Sequence, residues 1–81
     1  MYKVETFING ELSTIKLLNA EKAIQSVRET LEDENLTVFN SCVNGKDYAE
    51  AEALLVSNGL TYTYIYHKLP KNDLICLMER F

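Results

Sequence analysis

Apolar positions along this 81-residue chain alternate between a period of two and a period of three to four, and the switches divide it into seven predicted elements. Tyr2 to Ile8 alternates loosely and is followed at once by Asn9-Gly10, the dipeptide best suited to the two positive-φ positions of a type I′ hairpin turn. Leu12 to Leu18 is the expected return strand. Asn19 then stands where a helix cap is expected, ahead of a stripe at Ala20, Ala23, Ile24, Val27 and Leu31 spaced for a helix running to about Asp33. Leu36 to Val43, rich in β-branched and aromatic residues, predicts a third strand, with Asn44-Gly45 as its turn. Asp47 with Glu50 three residues later reads as an acidic capping box. It opens a second helix with Tyr48, Ala51, Leu54 and Leu55 on its buried side, ended by Asn58-Gly59. Thr61 to His67 alternates strictly as a strand, Leu69 to Asp73 breaks it at Pro70, and Leu74 to Arg80 predicts a last strand.

The resulting order, ββαβαββ, predicts an α+β fold over residues 1–81 as a single domain. Helices lying between strands imply parallel crossovers, and short connections at either end imply antiparallel hairpins. The expected sheet is therefore mixed and five-stranded. Two helices on one face, leaving the other partly open, is the favoured arrangement; one helix on each face is the alternative.

Within the strand at 61–67, Tyr62, Tyr64 and Tyr66 share one side and form a tyrosine ladder. If the rings pack beneath the helices, they contribute stability alone. If Ile65 points inward instead, the rings lie on the open face, where tyrosine is enriched among binding hot spots. On the second arrangement Tyr62, Tyr64 and Tyr66, with His67 and Lys68, form the candidate protein-binding site. Base stacking on such a ladder would need a basic groove, and only His67, Lys68 and Lys71 are nearby.

Composition narrows the function classes. A hydrophobic content of 47% suits one modest core, and the longest apolar run, Leu74 to Met78, is far shorter than the roughly 20 residues of a membrane span. The net charge is −4, and residues 1–52 hold five basic and ten acidic side chains. Nucleic-acid binding through a broad basic surface is disfavoured and a basic protein partner is favoured. The two cysteines are expected as thiols of a cytoplasmic protein, with Cys76 in the core.

Catalytic signatures are weak. Ser41, Cys42, Asn44 and Lys46 would occupy a strand-to-helix junction, a common ligand location, with His67 as the one histidine able to act as base for Cys42. The spacing fits neither a phosphate-binding loop nor a dinucleotide fingerprint. No catalytic residue, cofactor site or metal site is assigned. Glu29, Glu32, Asp33 and Glu34 form an acidic patch closing the first helix, most simply a solvated helix end and alternatively an imitation of nucleic-acid charge. The expected function is a non-enzymatic, small acidic protein-binding module working through an open sheet face. Self-association as a homodimer is kept open. By analogy, such chains include accessory proteins that bacteria and phages use to bind and inhibit a larger target.

Overall fold

In the computed structural model, which describes residues 1–44 and 46–81, the chain forms β1 (Tyr2–Ile8), β2 (Glu11–Leu18), α1 (Ala20–Leu31), β3 (Leu36–Asn44), β4 (Tyr48–Ser57), β5 (Leu60–Pro70) and α2 (Lys71–Met78). The fold is α+β with five strands and two helices. The sheet order is β2-β1-β5-β4-β3, and every neighbouring pair is antiparallel.

Three features of this arrangement correct the sequence-based expectation. Residues 48–57 are a strand rather than a helix, a helix over Lys71–Met78 replaces the last strand expected at Leu74 to Arg80, and the sheet is purely antiparallel rather than mixed. Ala, Glu and Leu are strong helix formers, so Tyr48 to Leu55 carries high helix propensity, but its polarity alternates: Ala49, Ala51, Ala53 and Leu55 are buried. Tertiary pairing on both sides overrides the local preference. Asp47 therefore caps no helix, and its carbonyl instead accepts from the Lys71 amide at 3.2 Å. Asn58-Gly59 is no helix end either: φ of +52° and +77° make it a hairpin turn like Asn9-Gly10, at +50° and +84°. The expected Asn44-Gly45 turn includes Gly45, which lies outside the described residues. For α2, five consecutive apolar residues fit a buried strand and a short helix equally well. Pro70 ends β5 and stands as the residue before the helix, and Leu74 and Leu77 then fall one turn apart on its buried side.

Both helices pack on one face of the sheet. Asn19 caps α1, its side chain accepting from the Lys22 amide at 2.8 Å. From there α1 carries the chain from β2 at one edge to β3 at the other, touching β1 and β5 on the way, while α2 lies beside it over β4 and β5. Ala23 and Val27 of α1, Leu74 and Leu77 of α2, and Val4, Ala49, Ala51, Tyr66 and Leu69 of the sheet form one buried cluster. The alanines of β4 let helical backbone come close to the sheet, and Tyr66 and Leu69 of β5 fill the space beside them.

Candidate binding face

The tyrosine ladder lies on the helix-covered side. Tyr66 is removed from solvent, and Tyr62 and Tyr64 are half-buried on the same side. The Tyr66 hydroxyl sits 2.8 Å from Thr30 Oγ1 and 3.2 Å from Ser26 Oγ, and donates to the Ser26 carbonyl at 3.4 Å. Burial pushes the Tyr66 phenol above its ordinary value of 10.0, and the hydrogen bonds from Ser26 and Thr30 oppose that rise. Tyr66 is thus a core residue with Tyr64 packed against that core, and the helix-covered position of Tyr62, Tyr64 and Tyr66 corrects their placement on an open face. The reason is the hydroxyl: α1 supplies partners for it, so a full tyrosine can be buried at low polar cost. The sequence signal for this was Ser26 and Thr30 at helical spacing on the apolar stripe.

Beside the buried ring, α1 and the β1–β2 side of the sheet enclose a cleft of about 370 Å³ whose lining includes Tyr64, Lys16, Glu29 and Asp33. The acidic patch is only partly drawn together there. Glu29, Glu32, Asp33 and Glu34 are all exposed; Glu29 Oε1 accepts from Gln25 and Asp33 Oδ1 accepts from the Asn35 amide.

The other sheet face carries no helix, and the strand register arranges its side chains in rows. One row crosses all five strands: Leu12, Phe7, Thr63, Leu54 and Val38. The next row runs Ile15, Glu5, Ile65, Glu52 and Asn40. Leu17 beside Lys3, Glu50 beside Cys42, and Val56 beside Thr61 complete the face. Leu12, Ile15 and Leu17 are 51%, 52% and 60% exposed, and Val38 and Val56 are exposed as well. Sequence reasoning missed these residues for a definite cause. Reading 48–57 as a helix set Leu54 on a buried side and gave Val56 no strand neighbours, whereas in β4 both point away from the core beside Thr63 and Thr61.

The polar end of this face is organised by His67. Its Nε2 lies 2.5 Å from Glu5 Oε1, and its Nδ1 is 3.7 Å from Glu50 Oε2. On its other side β5 carries an extra residue opposite Glu50: Ala51 pairs with Tyr66 but Ala49 pairs with Leu69, and Lys68 takes φ of +53° in the resulting bulge. Lys68 itself is exposed, its ammonium 5.9 Å from the centre of the Tyr48 ring. Beside His67, a depression of about 230 Å³ is lined by Ile65, Glu50, Glu52, Asn40, Ser41, Cys42 and Ala51.

The alternative site around Cys42 is not assembled. Residues 46 and 47 lie between two strands of a hairpin rather than between a strand and the helix that follows it; the N-terminus of α2 reaches this connection from later in the chain, the Lys71 amide donating to the Asp47 carbonyl at 3.2 Å, and the side chain of Asn44 lies outside the described residues. Cys42 sits on β3 while His67 sits on β5, two strands and therefore about 10 Å apart, with the imidazole engaged by glutamates. Cys76 is exposed on the outer side of α2 rather than in the core, a consequence of the helix placing Leu74 and Leu77 inward. Among the described residues no helix is long and apolar enough to cross a membrane. Comparison with protein-family models, curated proteins and solved structures finds no match to this chain.

Proposed function

We propose that this chain is a protein-binding module that docks on a larger protein through its helix-free sheet face, without catalysis of its own. The observation that supports this most is the row Leu12, Phe7, Thr63, Leu54 and Val38, which crosses all five strands, is apolar on four of them, and is extended by Ile15, Leu17 and Val56. Open antiparallel faces normally present polar residues to water. Exposed apolar side chains gathered on one face, rather than scattered singly over the surface, point to an interaction site.

The sheet edges support face docking over edge pairing. In β2 the register jumps from Thr14 to Leu12 and leaves Ser13 as an extra residue, and in β3 it leaves Thr37. Bulges at sheet edges discourage pairing with a further strand. A photocrosslinking residue placed at Ile15 or Val56 should capture one partner, while the same residue at Gln25, on the exposed side of α1, should not. Capture from position 25 alone would overturn the reading.

A further inference from the structure

We infer that the partner element seated on this face is a basic amphipathic helix lying across the strands, an inference that rests on the binding function proposed above. The face is graded in chemistry along the strands. At one end it offers the apolar row; the adjoining row brings Glu5 and Glu52 beside Ile15 and Ile65, with Glu50 next to them. A helix with an apolar stripe flanked on one side by Arg or Lys matches both rows at once.

The depression beside His67 adds a specific anchor. Ile65 lines it, Glu50 and Glu52 stand with it, and Asn40 contributes a polar rim. Such a site accepts the aliphatic stem of an Arg or Lys against Ile65 and the cationic head against a carboxylate. Geometry favours a crosswise helix. Five strands spaced about 4.8 Å apart span about 20 Å, the length of a helix of about 13 residues. On the opposite face the 12-residue α1 already makes such a crossing from β2 to β3, so a partner helix would complete a three-layer arrangement. A second copy of this chain fits less well. It would set Glu5, Glu50 and Glu52 against a surface carrying those same three carboxylates and two full cations, Lys3 and Lys68, and each copy carries a net charge of −4.

The test titrates isotope-labelled protein with a synthetic helix of about 16 residues, bearing Leu at i, i+3, i+4 and i+7 and Arg along one flank. A control peptide keeps the leucines and replaces Arg with Glu. The Arg peptide is expected to shift amide resonances of β1, β3, β4 and β5 around Glu5, Asn40, Glu52 and Ile65, and the Glu peptide to bind at least tenfold more weakly. Glu5→Lys with Glu52→Lys should weaken the Arg peptide at least tenfold, whereas Glu21→Lys on α1 should change its affinity less than twofold. Equal affinity for the two peptides, resonance shifts confined to α1 or α2, or a dimer seen by light scattering that Ile15→Glu dissolves would each overturn the helix assignment. The last of these would leave the face as a docking surface, and loss of crosslinking specificity at Ile15 and Val56 would remove that surface too.

Discussion

Tyr66 is the residue on which the packing of α1 against the sheet turns. Burying its ring contributes roughly 2–3 kcal/mol before opposing entropy, and its hydroxyl ties β5 to Ser26 and Thr30. Tyr66→Phe keeps the ring and strips the hydroxyl, so urea unfolding should show a loss of about 1–2 kcal/mol, limited because Thr30 can turn back to a backbone carbonyl in its own helix. The raised phenol sets a pH dependence with a definite sign. Above about pH 10 the unfolded chain releases the Tyr66 proton while the folded chain retains it, so stability falls as pH rises. Below the unfolded value this group contributes no slope. Unfolding curves from pH 8 to 11 should show wild type declining more steeply than Tyr66→Phe at the alkaline end. At the turns, Gly10 (φ +84°) and Gly59 (φ +77°) have open space around a would-be Cβ. The cost of Gly→Ala there is therefore backbone strain alone, about 1 kcal/mol at each position by the same unfolding assay.

At the scale of elements, β4 holds the conflict between local and global preference. Its Tyr48-to-Leu55 segment favours a helix in isolation and becomes a strand because β3 and β5 pair with it on both sides. A peptide covering residues 46–58 should therefore show helical circular dichroism in trifluoroethanol; a β spectrum there would mean that strand preference is intrinsic to the segment. The first half of the chain was legible because its signals agree. Asn9-Gly10 sits between alternating runs, and Asn19 stands directly before a clean helical stripe. Beyond residue 44 the signals compete. Ala-Glu alternation satisfies both periods, Asn58-Gly59 serves a helix end as well as a hairpin, and Leu74 to Met78 is too short to choose. The open face was anticipated, but its lining was not, since the outward side of β4 cannot be read once the segment is taken for a helix. His67 meeting Glu5 was likewise beyond reach, because it depends on β1 pairing with β5 across the whole length of the chain.

For the whole molecule, two helices and a sheet divide the work between faces. One face consumes the alanines of β4, Tyr66 and the apolar sides of α1 and α2 in a single core. The other leaves Leu12, Ile15, Leu17, Val38 and Val56 in water, where they add nothing to that core. Substitutions there should be nearly silent for folding, within about 0.5 kcal/mol, and costly for association. The most direct measurement is the dissociation constant of the purified, crosslink-identified partner for wild type and for the double variant Ile15→Glu/Val56→Glu, with thermal melting recorded on both. A weakening of at least about thirtyfold with an unchanged melting temperature is the expected result, corresponding to about 2 kcal/mol lost from the interface. Equal affinity for the two folded proteins would contradict the assignment of the helix-free face as the docking surface.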